Sequence, residues 1–324
     1  MMRARVVVAL LIGCAAAAIT MVKIAQVGHT SDFAVFWLAG RAVLAGQSPY
    51  AAVYPGIRPW IDSGFLYPMP AALYVAPFAM LPERVGAVLF AGVGAGALAF
   101  ALSRESFDRL PILMSLPMLL CLTSIQWAPI IAAATLLPTI GGLTVCKPTI
   151  GAAAFFAKGS LRHVVGGLAL LALSFLVRPD WAFDWWRALS SAVPGSKIVP
   201  VAVLGGPLLF LAALRWRQPE ARLLLALGVV PQTVLFCDQL MLGLVVRTRR
   251  EALVAGLWSY AVPVGGYLLL RGHLPTTDAG SFMLLSRVIV WGYYLPTLAL
   301  VLWRRDPVVK DARVTPAVIG VTES

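Results

Sequence analysis

The chain has 324 residues, of which 60% are hydrophobic and 12% are charged, and its formal net charge is +12. Its apolar residues come in repeated runs, which argues against a water-soluble fold and predicts a polytopic membrane protein. The basic residues lie in short loops between these runs and form no soluble basic domain, so nucleic-acid binding is not expected.

The first apolar run covers residues 6–24 and follows two arginines, which favours a cytoplasmic N-terminus. Residues 11–14 resemble a lipoprotein cleavage box, but the run continues past Cys14, so we expect this segment to remain as an anchor. Further runs fall at residues 65–81, 85–102, 110–125, 127–140, 143–157, 164–177, 198–214, 223–236, 240–246, 253–270 and 282–303. They predict one all-α domain, residues 1–305, with about ten to twelve transmembrane helices, some of them broken or re-entrant.

Clusters of arginine and lysine set the predicted orientation. They occur at residues 158–162, 215–222, 247–250 and 304–313. If these clusters face the cytoplasm and the number of spans is even, both termini lie on the cytoplasmic side of the membrane. The membrane is predicted to be the plasma (cell inner) membrane. Residues 306–324 are then a cytoplasmic tail, which is predicted to be disordered.

Two longer loops, residues 25–64 and 178–197, are predicted on the outer side. Both mix aromatic residues, prolines and a few charges, as helices lying on a membrane surface do. Within the first loop a helix is predicted from Phe33 to Leu44, directly after Asp32. The Asp32 carboxylate has two interpretations at this position, a helix cap or a functional acid.

Cysteines and glycines give no sign of a cofactor. Cys14, Cys121, Cys146 and Cys237 lie in or beside apolar runs without paired spacing and are expected to be small buried hydrophobes. The glycines of residues 92–96 lie inside an apolar run, which favours close helix packing over a nucleotide loop. No metal-site motif occurs, and we expect neither a metal nor a cofactor.

The polar residues follow a pattern over residues 30–245. It consists of SDF at 31–33, WLAGRA at 37–42, LAGQSPY at 44–50, YPMP at 67–70, Gln126, Lys147-Pro148 and Asp238-Gln239-Leu240. This pattern resembles glycosyltransferase family 87, polytopic enzymes of the GT-C class that use polyprenyl-phosphate sugars. The chain departs from the family at Ile125, where a glycine often precedes the mid-chain glutamine.

The resemblance implies a general base at Asp32, which would deprotonate the acceptor hydroxyl as that hydroxyl attacks the anomeric carbon with inversion. The leaving lipid phosphate gains negative charge and calls for cations. The assigned candidates are Arg41, Lys147 and Arg271, with Arg178 and Arg287 also near the predicted outer side. Pairing of Lys147 with Asp62 or Asp238 is an equally good interpretation.

Tyr67, Gln126, Asp238 and Gln239 are assigned by the same resemblance to substrate contacts. The predicted function is transfer of mannose or another hexose or pentose from a polyprenyl monophosphate to an extracytoplasmic glycan or lipid acceptor. The alternative is a non-catalytic lipid-carrier transporter or membrane assembly subunit, which would use the same membrane groove without a base.

Overall fold

A computed structural model describes residues 2–191, 197–233, 236–269 and 279–304. The described residues form α-helices, short 3₁₀ helices and a π-helix, Val290–Tyr294. The α-helices are α1 (Met2–Val27), α2 (Phe33–Leu44), α3 (Pro49–Ala52), α4 (Met69–Ala79), α5 (Glu83–Glu105), α6 (Leu116–Thr123), α7 (Ala128–Leu136), α8 (Pro148–Lys158), α9 (Leu161–Val177), α10 (Trp181–Ser191), α11 (Pro219–Val229), α12 (Arg249–Leu269), α13 (Ala279–Ile289) and α14 (Leu295–Trp303). Strands β1 (Lys197–Ile198) and β2 (Gln232–Thr233) pair antiparallel. The predicted all-α class is confirmed.

Three described helical segments are long and apolar enough to cross a membrane: α1, α5, and the segment Phe282–Trp303. The pair α9 and α10 makes a fourth if it counts as one span, although the two helices meet at 95°. Much of the remaining apolar sequence forms 3₁₀ helices, at Phe107–Met114, Pro138–Cys146, Gly206–Arg215 and Asp238–Val245. The number of spans, predicted at about ten to twelve from run lengths, therefore stays a prediction.

The fold has two ends, which α5 connects. At one end Glu83 accepts hydrogen bonds from Arg58 and from Thr30, which lies two residues before Asp32 in sequence. At the other end Glu105 pairs with Lys158 at 3.1 Å. The 23 residues of α5 separate these ends by about 33 Å at 1.5 Å per residue. We call them the site end and the basic end.

Glycines bring α1 and α5 into backbone contact. A Cβ atom added to Gly13 would lie 3.0 Å from the carbonyl oxygen of Gly92, and one added to Gly96 would lie 3.0 Å from that of Ala9. The predicted packing role of the glycines in residues 92–96 is confirmed, because only a residue without a side chain allows this approach. We call this contact the glycine seam.

Helix α1 buries a single stripe, formed by Ala16, Thr20 and Ile24. Cys14 lies off this stripe and is exposed, so the prediction that it is buried was wrong. The expectation holds for the other three cysteines, which are buried.

Both helices predicted in the outer loops are present. Helix α2 begins and ends at Phe33 and Leu44, the predicted residues. Helix α10 bends away from α9, and its Trp185 indole donates to the Leu66 carbonyl oxygen at 3.0 Å. The sharp bend is the geometry expected of a helix that lies along a membrane surface. The surface placement itself remains a prediction.

Candidate functional site

The Asp32 side chain does not cap α2. Within the described structure the carboxylate makes no hydrogen bond to the first backbone N–H groups of the helix, and the residue itself has helical dihedral angles, φ −65° and ψ −20°. Instead, Asp32 Oδ2 accepts a short hydrogen bond from Gln126 Nε2. The structure therefore excludes the interpretation of Asp32 as a helix cap. Its carboxylate is bonded instead to Gln126, a second predicted site residue.

Gln126 is presented by an unusual helix end. Helix α6 ends at Thr123, and the Gln126 N–H donates to the Cys121 carbonyl oxygen at 2.8 Å across Ile125. This bond belongs to a C-terminal motif whose left-handed residue is commonly glycine. Here that residue is Ile125, with φ +55°. A positive φ is a genuine outlier for a β-branched residue. Ile125 therefore has the backbone conformation that favours glycine, although it is not a glycine.

Two other site segments share this conformation. Ser31, directly before Asp32, has φ +48°, and Phe236, two residues before Asp238, has φ +59°. Backbone strain of this kind costs about 1–3 kcal/mol per residue and persists only where the surroundings hold it. Non-glycine residues with positive φ among the described residues are these two and Ile125. All three lie one or two positions before candidate site residues.

Lys147 and Asp238 form a buried ion pair at the site end. Lys147 Nζ lies 2.6 Å from Asp238 Oδ1, and the two side chains are 8% and 1% exposed. Asp238 Oδ2 also accepts hydrogen bonds from the Thr233 backbone N–H at 3.1 Å and from its hydroxyl at 3.3 Å. Pairing with Asp238, one of the two alternatives for Lys147, is therefore what the structure shows. The pair joins two chain segments 91 positions apart.

Lys147 also acts on Asp32. The protein around the carboxylate raises the pKa of Asp32 above its ordinary value by desolvation, while the charge of Lys147 and the hydrogen bond from Gln126 lower it. Asp32 is nevertheless exposed. A carboxylate in a recess combines both properties, because water reaches it while protein fills much of the surrounding volume.

Tyr67 lies among these groups, within electrostatic reach of Asp32, Lys147 and Asp238. Its ring packs edge-on against Phe36, with ring centres 5.0 Å apart, and lies 6.0 Å from the ring of Trp127. Trp127, the residue after Gln126, therefore packs in one aromatic cluster with Phe36 and Tyr67. The structure brings together five predicted residues: Asp32, Tyr67, Gln126, Lys147 and Asp238.

Contacts that the sequence analysis missed hold the chain just before Asp32. The Thr30 hydroxyl donates a short hydrogen bond to Glu83, and Arg58 pairs with the same carboxylate at 2.7 Å. The Ser31 N–H donates to His29 Nδ1 at 3.1 Å. The available signal was charge: Arg58 lies in the first outer loop, and Glu83 begins α5. Their partnership connects positions 25 residues apart, and no local pattern reveals it.

The other predicted site residues lie elsewhere. Arg41 is exposed in the last turn of α2, with its guanidinium 5.7 Å from the centre of the Trp37 ring. Nine residues of helix carry it about 13 Å along the axis from Asp32. Gln239 is buried and donates from Nε2 to Gln232 Oε1 at 3.5 Å. Arg271 lies outside the described residues.

The two remaining cations are also engaged away from Asp32. Arg178 pairs with Asp184 at 3.3 Å, and Arg287 contacts the sulfur of Met283 at 3.6 Å. Lys147 is therefore the predicted cation that the structure brings to Asp32. In the described part of the chain, no three histidine, cysteine, aspartate or glutamate side chains are grouped to hold a metal ion.

Comparison with protein-family models, with curated proteins and with solved structures gives no match to this chain. The candidate site therefore rests on its own geometry and on the residue pattern.

Proposed function

We propose that the chain is a membrane glycosyltransferase that moves a sugar, mannose or another hexose or pentose, from a polyprenyl monophosphate to a glycan or lipid acceptor outside the cytoplasm. The residue pattern shared with glycosyltransferase family 87 supports the donor class. The observation that carries the proposal is the environment of Asp32. Its carboxylate is exposed, does not cap α2, accepts a hydrogen bond from Gln126 and lies near the buried Lys147.

The proposed step is one displacement. The acceptor oxygen forms a bond to the anomeric carbon, its proton passes to Asp32, and the bond from that carbon to the phosphate oxygen breaks. The phosphate leaves with the bonding electrons. A base works best when its pKa approaches the operating pH. The desolvation that raises the pKa of Asp32 therefore favours this role.

Lys147 is the cation assigned to the leaving phosphate. An ammonium group has three N–H donors. One of them is directed to Asp238, so others remain for a phosphate oxygen. Arg41 and Arg271 stay proposals for contacts with more distant parts of the donor, and Tyr67, Gln126, Asp238 and Gln239 for contacts with the sugar or the base.

The orientation follows from charge. The basic end carries Lys158, Arg222, Arg247 and Arg304. By the positive-inside rule this end faces the cytoplasm. The site end then faces outward from a multi-pass plasma-membrane protein, where a flipped lipid-linked sugar is available.

The test is transfer of labelled sugar from polyprenyl-phosphate donors in nanodiscs by wild type and Asp32→Asn. The asparagine keeps the size and the contact with Gln126 but cannot take the proton, so turnover should fall by about 10²-fold or more with donor binding retained. The control is Asp62→Asn, which changes another exposed carboxylate of the same loop and should leave turnover unchanged. Normal turnover by a folded Asp32→Asn protein removes the base. Absence of transfer by wild type from every donor tested favours the carrier or subunit instead.

A further inference from the structure

A groove of about 730 Å³ runs along α12 from Arg250, near the basic end, to Gln239, the neighbour of Asp238. Helices α12 and α14 and the 3₁₀ helix Asp238–Val245 form its walls. Most of its lining is apolar, and Trp258 and Trp303 are its largest side chains. We call it the α12 groove.

The length of the α12 groove is that of one bilayer leaflet. It begins at Arg250 near the basic end and reaches Ser259, nine residues further along α12. Nine residues rise about 13 Å, close to half of a hydrocarbon core of about 30 Å. Its deep end is polar, because Gln239 and Ser115 line it and each has a buried side-chain oxygen without a partner among the described residues. An apolar chain that enters from the basic end therefore stops there.

The mouth of the α12 groove is positive. Arg250 lines it, is exposed, and has no acidic partner in the described part of the chain. The neighbouring Glu251 is already engaged by Arg304 at 2.5 Å and by the Arg247 N–H at 2.7 Å. Arg250 also lies in the first turn of α12, where the helix dipole favours anions. A negative group at this position meets a charge that the protein does not itself neutralise.

We propose that the α12 groove binds a phospholipid with an anionic headgroup from the leaflet at the basic end. One acyl chain lies along the groove and the phosphate contacts Arg250. The charge of the mouth selects the headgroup, and the polar deep end limits the chain to one leaflet. The mouth of the groove at Arg250 is distant from Asp32, although its deep end is lined by Gln239, the neighbour of Asp238. Lipid binding at this mouth does not depend on the proposed transfer reaction.

The chain offers a matched control for Arg250. Its neighbour Arg249 is also exposed and has no acidic partner among the described residues, but it lines a different groove, of about 680 Å³, between α12 and α1. Replacing either arginine removes one positive charge from the same turn. Only Arg250→Gln removes it from the mouth of the α12 groove.

The experiment is quenching of Trp258 fluorescence by brominated lipids in reconstituted full-length protein. The Trp258 signal is the difference between each protein and the same protein carrying Trp258→Phe. Brominated phosphatidylglycerol should quench this signal at about one fifth of the mole fraction that brominated phosphatidylcholine requires, the size of effect that one basic side chain supplies near a membrane surface. Arg250→Gln should bring the ratio to about one, and Arg249→Gln should leave at least half of the preference. Equal quenching of wild type by the two lipids, or equal loss in both variants, overturns the proposal.

A second variant tests the groove without changing charge. Ala255 lines the α12 groove and is partly buried, so Ala255→Phe should fill the groove with its ring. The expected result is at least a threefold loss of phosphatidylglycerol quenching, since a ring occupies the volume of several chain carbons. Unchanged quenching in this variant shows that the lipid does not enter the groove and overturns the proposal even if Arg250→Gln fails to fold.

Discussion

The buried ion pair Lys147–Asp238 allows a stability test with a predicted sign. Asp238→Asn leaves the Lys147 ammonium without its ion-pair partner, and Lys147→Met leaves the Asp238 carboxylate without its own. Both side chains are less than one tenth exposed, so water replaces little of the lost interaction. Each single variant should lose about 3–5 kcal/mol in the free energy of unfolding, the usual cost of a buried charge stripped of its partner.

The double variant should be more stable than either single variant. It contains no buried charge at this pair, and the amide oxygen of the asparagine that replaces Asp238 would still accept the hydrogen bond that the Thr233 N–H now makes at 3.1 Å. Replacing both partners of a buried pair together is often close to neutral. We therefore expect a loss of about 0–2 kcal/mol for the double variant and a coupling energy of about 4 kcal/mol or more between the two sites.

The assay is SDS unfolding in mixed micelles, compared at a common SDS fraction. Cys121, Cys146 and Cys237 are buried thiols, so a fluorescent maleimide labels them only when the fold opens. Exposed Cys14 is changed to serine in every protein to remove its background signal. Losses in the two single variants that add up in the double variant would show that the pair is not coupled, and would refute the electrostatic account of this end of the molecule.

Three further predictions concern backbone strain, topology and pH. Ile125→Gly should be more stable than Ile125→Ala by about 1 kcal/mol, the reverse of the usual order, because only glycine relaxes the positive φ; SDS titration measures it, and the usual order would contradict the strain. An outer-face thiol reagent should label Ser191→Cys in intact cells and spare Ser160→Cys, whereas the opposite pattern would reverse the orientation. Because transfer needs ionised Asp32, its rate should rise with pH through the raised pKa of this residue. Gln126→Leu should move that rise to higher pH, because it removes a hydrogen bond that lowers the pKa of Asp32. An unchanged pH–rate profile in this variant would show that Gln126 does not tune the base.

Local patterns predicted the parts of this fold that depend on neighbouring residues. Helix α2 follows from an unbroken stretch of compatible residues after Asp32, and its observed bounds match the predicted ones. The packing of residues 92–96 follows from glycine spacing. The lengths of apolar runs do not convert directly into a number of spans, because several runs form 3₁₀ helices, which rise about 2.0 Å per residue. The 3₁₀ helix Pro138–Cys146, which joins the runs at 127–140 and 143–157, therefore reaches further than an α-helix of nine residues would.

The site was partly predictable because its chemistry is carried by polar residues in an apolar chain, where each stands out. What holds these residues was not predictable. Glu83 binds Thr30, just before Asp32, although the two are 53 positions apart in sequence. Lys147 and Asp238 are paired across 91 positions. Ile125 gave no local sign of a left-handed turn, because the usual sign is glycine. Arg41 belongs to the same residue pattern as Asp32, but about 13 Å along the axis of α2 separates the two.

The glycine seam also bears on when the site can form during synthesis. Gly13 is made 79 positions before Gly92, its partner in the seam. At about 5–20 residues per second, Gly13 is synthesised roughly 4–16 seconds before Gly92 is available to pack against it. The segment that carries Asp32 is synthesised directly after α1 and also precedes α5. Asp238, the later residue of the ion pair with Lys147, is synthesised after both. Substitutions that weaken the seam should therefore reduce the yield of inserted protein more than the activity of the molecules that complete assembly.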